Sequence, residues 1–371
     1  MEKTSVKFAP FRMAEFSGQW PPGSLTNLHS SNPQPFDWQE LNQLPGIDLQ
    51  QLLNTTPLAY ESTQGRPAVR SAICDQYHQS LHMNEVVLTS GAQEGIFLVM
   101  QALLKAGDEV IAFTPCFEPL ITVAEETGAM LKQLPLIEQT AWSIDWSALQ
   151  SAMTQNTRLV VVNFPHNPTG CHLNETDWKN LLTLCEQHDC WLFSDEVFRG
   201  LEHDPGDRLP AAVDCYAKAI SMGVVSKSLA LPGVRLGWLS CRDQQVLRRL
   251  MAIKSHLSIC QSSLDASLCE QLIPHSEVIW QRNVQLIRRN KHKIIDWLAN
   301  QTDFNWQEPV AAATGFVQLK TGSAMDFARQ LAEQEKLMVM PGIAFMTDVE
   351  GFRLTLGLGD EQFDYRSIRK F

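Results

Sequence analysis

The run Val224-Val225-Ser226-Lys227-Ser228-Leu229-Ala230-Leu231-Pro232-Gly233-Val234-Arg235-Leu236-Gly237-Trp238 decides how this chain is read. It begins as an apolar, strand-like stretch and closes that stretch on a lysine. Burying an ammonium is costly unless its charge is used or lost. A lysine that condenses with an aldehyde as a Schiff base escapes the cost and gains a function. Eight residues on, Arg235 is a fixed cation of the kind that holds a phosphate. Alone, Lys227 also reads as a surface lysine with a snorkelling stem. Its neighbours in the fold must decide.

Two further runs have the same form. Arg158-Leu159-Val160-Val161-Val162-Asn163-Phe164-Pro165-His166-Asn167-Pro168-Thr169-Gly170 is a strand running into a proline-stiffened turn. Cys190-Trp191-Leu192-Phe193-Ser194-Asp195-Glu196-Val197-Phe198-Arg199-Gly200 is a buried strand ending in an acid. In an open parallel α/β sheet, ligands bind outside the carboxyl ends of the strands. Asn167, Asp195 and Lys227 are therefore expected at one crevice. An aldehyde with a phosphate points to pyridoxal 5'-phosphate, and Asp195 suits its ring nitrogen, because a carboxylate favours the protonated form.

Four motifs, Asn167-Pro168-Thr169-Gly170, Asp195-Glu196-x-Phe198, Ser226-Lys227 and Pro232-Gly233-x-Arg235-x-Gly237-Trp238, stand in this order. In order and approximate spacing they resemble the class I/II pyridoxal-phosphate aminotransferases of fold type I. The resemblance covers roughly residues 55–360. It implies an α/β fold: a large domain with a central, mostly parallel sheet (46–275), and a small α+β domain (1–45 with 276–371). It also implies Lys227 and Asp195 as catalytic residues. Asn167 would donate its amide to the cofactor's phenolic oxygen, and Ser226 and Arg235 would hold the cofactor with Lys227. Gly91, Ala92 and Gln93, in Thr89-Ser90-Gly91-Ala92-Gln93-Glu94-Gly95, would hold the phosphate at a helix N-terminus. Phe117 would stack on the pyridine face. Tyr60, in a match to Tyr-x4-Gly-x3-[Leu]-Arg with Val69 for Leu, would reach the partner subunit's phosphate and so implies a homodimer. Arg353 would bind the substrate α-carboxylate, with Asn167 and Ser31 beside it.

Each residue also has an ordinary structural reading. Asp195 suits a helix N-cap, and Asn167 an Asx-turn. Phe117 suits plain core, Tyr60 a turn, and Arg353 an edge strand facing water. The Asn167–Pro168 bond is a candidate cis peptide.

Three positions depart from the family pattern. Phe198 stands where a tyrosine usually bonds the cofactor's phenolic oxygen. Val224 stands where a phosphate-binding serine usually lies, with Ser226 and Ser221 as substitutes. In Asn27-Leu28-His29-Ser30-Ser31-Asn32-Pro33, Ser31 replaces a glycine whose backbone lies near the substrate.

Composition narrows the rest. A net charge of −11 argues against nucleic acid as the main partner. The basic cluster from Arg282 to Lys293 lies on a helical pattern and reads as a solvated face. Nine scattered cysteines without a Cys-x2-Cys pair suggest reduced cytoplasmic thiols, no disulfide frame and no zinc site. The histidines include no His-Glu-x-x-His, so no metal is expected. Met1-Glu2-Lys3-Thr4-Ser5 lacks a signal-like apolar region, and no apolar run is long enough for a membrane span. A helix is expected after about 275, strands at Gly315–Leu319 and Leu337–Met340, and a helix from Ala324 to Gln334.

The expected activity is transfer of the amino group of an L-α-amino acid to a 2-oxo acid. The run Phe164-Pro165-His166-Asn167-Pro168 with Arg199-Gly200-Leu201-Glu202-His203-Asp204 resembles, less specifically, a subgroup that includes capreomycidine synthase. That implies a second possibility: elimination, cyclisation or oxidation of an arginine-like amino acid with the same cofactor. A third is a ligand-binding relic of the fold without catalysis.

Overall fold

The computed structural model describes residues 8–360 and 363–368, and Met1–Ser5, read above for a leader, lies outside them. The strands in chain order are β1 (Thr26–Asn27), β2 (Val86–Thr89), β3 (Glu109–Thr114), β4 (Met130–Pro135), β5 (Thr157–Asn163), β6 (Trp191–Asp195), β7 (Ala219–Val224), β8 (Gly237–Cys241), β9 (Phe304–Trp306), β10 (Thr314–Leu319), β11 (Leu337–Met338), β12 (Met340–Pro341) and β13 (Gly351–Thr355). Seven of them form one sheet in the order β2-β8-β7-β6-β5-β3-β4. Strand β8 runs antiparallel to β2 and β7, and the other pairs are parallel. Residues of β6 and β7 are buried throughout, as strands covered on both faces should be. The edge strand β4 is half exposed and carries Lys132 and Pro135, which blunt its free side.

Register positions the strand ends. Asn163 lies opposite Asp195, and Asp195 opposite Met222. Strand β7 ends at Val224 and passes into the short helical turn Val225–Ser228, which lifts Lys227 beyond the sheet edge. The carboxyl ends of β5, β6 and β7 therefore open on one crevice.

A second, antiparallel sheet has the order β12-β13-β10-β9, and β1 pairs parallel with β11. The β1–β11 pair ties the N-terminal segment to this part of the chain. Beyond it, Leu28 N–H donates to the Met338 carbonyl (2.9 Å) and Thr355 N–H to the Leu28 carbonyl (2.7 Å). The expected helix from 324 ends at Gln330 and widens into a π-helical turn, Leu331–Glu335. The expected strand 337–340 is interrupted at Val339, and its halves pair in different sheets.

The helix Ser276–Leu298 buries Ile279, Trp280, Asn283, Val284, Ile287, Asn290, Ile294 and Trp297, one stripe at three- and four-residue spacing. Its basic face differs from the expected solvated one. Arg282 Nη1 donates to the Gln34 carbonyl (2.7 Å), Arg288 to the His203 carbonyl, and Lys291 pairs with Glu308 (2.8 Å). Long cationic side chains here fasten loops to the helix, because main-chain carbonyls converge on it and need donors.

All nine cysteines are free thiols. Among the described residues, no helix is long and apolar enough to cross a membrane, and no three metal-ligating side chains cluster.

Candidate active site

A cavity of about 200 Å³ lies at the carboxyl ends of β5–β7. Its walls include Ser31, Ala92, Gln93, Phe117, Asn167, Asp195, Phe198, Ser226, Lys227 and Arg235, residues spread from 31 to 235 along the chain. Two larger hollows, of about 610 and 830 Å³, contain neither Asp195 nor Lys227 and offer no comparable set of reactive groups.

Asp195 is 3 % exposed, and its carboxylate accepts one backbone bond, from Val197 N–H at 3.2 Å. Burial pushes its pKa up to about 7, against a partial restraint from that bond and from Lys227. Lys227 is partly buried, and its Nζ donates to Ser31 Oγ (2.6 Å) and Asn32 Oδ1 (3.3 Å). Loss of water, with the positive charge of Arg353 and Arg235, brings its pKa down to about 7, while Asp195 pulls the other way.

Arg353 does not face water: it is 2 % exposed. Strand β13 lies between β12 and β10, so it is no edge. The guanidinium donates from Nη1 to Asn167 Oδ1 (2.9 Å) and from Nε to the His29 carbonyl (2.9 Å). Burial lowers its pKa to about 9, which leaves it a cation at neutral pH. With Asn167 Oδ1 engaged, the amide nitrogen is the end of Asn167 left to donate. The Asn167–Pro168 bond is cis.

The turn after β2 is built around Gly91, whose φ of +78° is left-handed. A Cβ there would come within 2.5 Å of Arg235 Nη2. The helix Ala92–Leu103 that follows has no side-chain cap, so its first N–H groups remain free for an anion. Arg235 Nη1 reaches the Pro232 carbonyl (3.0 Å) and Ser226 Oγ (3.3 Å). Of the two serines proposed to replace the one missing at Val224, Ser226 lines the cavity. Ser221 is spent elsewhere, donating to Glu196 Oε1 (2.8 Å) and accepting from Val213 N–H (3.1 Å).

Phe117 lines the cavity, with Phe11 edge-on to it at 5.7 Å. The Phe198 ring centroid is 5.9 Å from Lys227 Nζ. Tyr60 is outside the cavity and 85 % exposed in the single chain.

Sequence reading missed two amides. Asn163 donates to the Asp195 carbonyl (3.0 Å) and accepts from Asn167 N–H (3.0 Å), so it ties two site loops together. Its signal was present, an amide closing four apolar residues of a buried strand. Asn32 reaches Lys227 from a segment that carries no periodic pattern.

The family model for aminotransferase class I and II matches residues 26–366. The chain belongs to that family. Among its relatives is the arginine–pyruvate transaminase AruH of Pseudomonas aeruginosa, 30 % identical over 81 % of this chain and 79 % of that protein. Capreomycidine synthase of Streptomyces vinaceus is 29 % identical over 70 % of this chain and 67 % of that protein. The fold matches a PLP-dependent aminotransferase from Streptococcus suis with a TM-score of 0.90 at 23 % identity, covering 98 % of this chain and 95 % of that one. This is the fold type I architecture, with its mixed, mostly parallel central sheet, and the cofactor is pyridoxal 5'-phosphate.

The residues present fit that cofactor. The glycine cradle beside Arg235 and the uncapped helix end suit a phosphate. The buried, under-bonded Asp195 carboxylate suits a protonated ring nitrogen, and Lys227 suits the aldehyde.

Proposed function

We propose that the protein is an aminotransferase that moves the amino group of an L-α-amino acid to a 2-oxo acid. One observation carries the reading: Lys227, Asp195, Asn167 and Arg235 line a single cavity, and Arg353 lies against it through Asn167. When bound, pyridoxal 5'-phosphate supplies an electron sink for a carbanion at the substrate Cα. Asp195 would hold the proton on the ring nitrogen, and Asn167 would donate to the phenolic oxygen. Gly91, Ala92, Gln93, Ser226 and Arg235 would hold the phosphate, and Phe117 would pack on the ring. Arg353 would take the substrate carboxylate with its remaining N–H groups. Lys227 would carry the cofactor and, as a free amine, would move the proton at Cα. An amine with a pKa near 7 is suited to that work at neutral pH.

The large domain is taken as 46–275, which contains the seven-stranded sheet, and the small domain as 1–45 with 276–371. Subunits pair as a homodimer, a reading supported by the exposure of Tyr60, Leu58 and Trp38. Nine free thiols suit a reducing compartment such as the cytoplasm.

A second reading keeps the site and changes the outcome to elimination, cyclisation or oxidation of an arginine-like amino acid. It is supported by buried Phe198 in place of a hydroxyl and by the similarity to capreomycidine synthase.

Two experiments test these readings. Borohydride reduction and peptide mapping should place the cofactor on Lys227, and Lys227→Ala should abolish turnover with the fold kept; a label on another lysine defeats the assignment. Amino acids are then screened for conversion of the cofactor to its amine form, reversed by a 2-oxo acid. Product formation without that reversible conversion favours the second reading.

A further inference from the structure

We propose that Ser31 is a positioning residue for Lys227: from the N-terminal segment, its hydroxyl holds Nζ at the cavity wall. The inference rests on the reading of Lys227 as the residue that carries the cofactor.

The geometry is direct. Nζ donates to Ser31 Oγ at 2.6 Å, with Asn32 Oδ1 a longer partner at 3.3 Å. Ser31 is 8 % exposed, so water does not compete freely for its hydroxyl. Phe198 presents only a ring to Nζ, 5.9 Å away at its centroid. A ring face attracts a cation but fixes no donor direction.

The hydroxyl is also well anchored. Two residues before it, the His29 carbonyl accepts from Arg353 Nε (2.9 Å). Just after it, Asn32 lies so close to Gly357 that a Cβ on that glycine would come within 2.4 Å of the Asn32 carbonyl oxygen. Upstream, Leu28 bonds both Met338 and Thr355 through its backbone. The backbone on either side of Ser31 is thus held by β11, by β13 with its Arg353, and by the turn at Gly357.

The charges around Nζ come from three elements. Asp195 on β6 favours the ammonium, whereas Arg353 on β13 and Arg235 in the loop before β8 disfavour it. Ser31 and Asn32 add neutral acceptors. A hydrogen bond to an ammonium is charge-assisted and stronger than one to the free amine, so the pair favours the protonated form. Removing the hydroxyl should release the amine at lower pH and leave Nζ less well directed.

The test uses apoenzyme freed of cofactor. Competitive labelling with acetic anhydride, followed by peptide mapping, reads the free-amine fraction of Lys227 against pH. Ser31→Ala should move the midpoint down by about half to one unit, so that labelling below the midpoint is roughly three- to tenfold faster. Ser31→Gly removes the same hydroxyl and should agree, which guards against a fold defect in one variant. Ser31→Thr keeps the hydroxyl and should restore the wild-type midpoint. An unchanged or raised midpoint in the Ala and Gly variants overturns the proposal. So does an equal downward shift in Ser31→Thr, because that would trace the effect to packing. Failure of the borohydride mapping to find Lys227 would defeat the functional reading instead, and leaves this titration result legible by itself.

Discussion

At the scale of single residues, Asp195 and Phe198 make opposite demands on the cofactor. Asp195 is buried with one backbone donor, and its pKa is raised to about 7. A carboxyl whose folded pKa lies above its unfolded value stabilises the fold while protonated. That contribution is complete below the ordinary carboxylate range near 3.8 and is lost as pH rises through about 7. Apoenzyme should therefore lose thermal stability between about pH 4 and 7 from this group, and Asp195→Asn apoenzyme should lose less, as read by scanning fluorimetry across that range. The same variant should bind pyridoxal 5'-phosphate at least about tenfold more weakly, because the ring nitrogen loses its counter-charge. Equal pH dependence in both proteins would contradict the burial argument. Phe198 offers no hydroxyl to the phenolic oxygen. Phe198→Tyr should therefore lower the pH of the visible absorbance transition of the loaded enzyme, since a donor favours the deprotonated form. A rise would contradict this, and no change would mean that the ring does not face the cofactor. Faster transamination on restoring the tyrosine would mark Phe198 as a step away from plain amino transfer. These residues were legible because each reactive side chain ends or follows an apolar run, where burial must be justified by chemistry. Asn163 left a signal, an amide closing an apolar run, that went unread because it carries no charge to justify and stands in no motif, and Asn32 lies in a segment without a pattern. Their partners, at 195 and 227, lie far away in sequence.

At the scale of elements, the helix Ser276–Leu298 joins the two halves of the site. Asn283 Nδ2 donates to the Ser228 carbonyl (2.9 Å), one residue after Lys227. Two turns on, Asn290 Nδ2 donates to the carbonyls of Leu356 (2.9 Å) and Leu358 (2.7 Å), just past the strand of Arg353. The helix was legible from its apolar spacing, as were the strands from their apolar runs. What its polar residues hold was not, because the carbonyls belong to irregular segments with no pattern of their own. Asn290→Ala takes the donor from the buried Leu356 carbonyl and one of two donors from the Leu358 carbonyl, and should destabilise the protein by about 1–3 kcal/mol in chemical denaturation. Gln285→Ala, on the exposed face of the same helix, should change stability by less than about 0.5 kcal/mol. Equal losses would mean that the carbonyl contacts do not explain the effect, since alanine raises helix propensity at either position.

At the scale of the whole molecule, the single chain leaves an apolar surface beside the site. Trp38, Leu53 and Leu264 line a hollow of about 830 Å³. Trp38 is 66 % exposed, Leu53 67 %, Leu58 83 % and Tyr60 85 %. Contiguous apolar surface of this kind marks an association face more often than a free one. The chain's pattern hinted at it only through Tyr60, since an exposed leucine looks like any other in a sequence. Sedimentation should give a dimer, and a strictly monomeric protein that still turns over substrate would defeat the pairing. Subunit mixing tests the geometry more sharply. A Lys227→Ala subunit is paired with a Tyr60→Phe subunit, and neither homodimer is expected to approach wild-type turnover. If Tyr60 crosses to the partner's phosphate, one site of the mixed dimer joins an intact Lys227 to an intact Tyr60, while the other carries both lesions. Activity per dimer should then rise to about half that of wild type, with a wild-type KM. If both residues serve their own subunit, each site of the mixed dimer carries one lesion. Activity then stays at half that of the Tyr60→Phe homodimer, and Tyr60 acts within its own subunit and does not cross to the partner's phosphate.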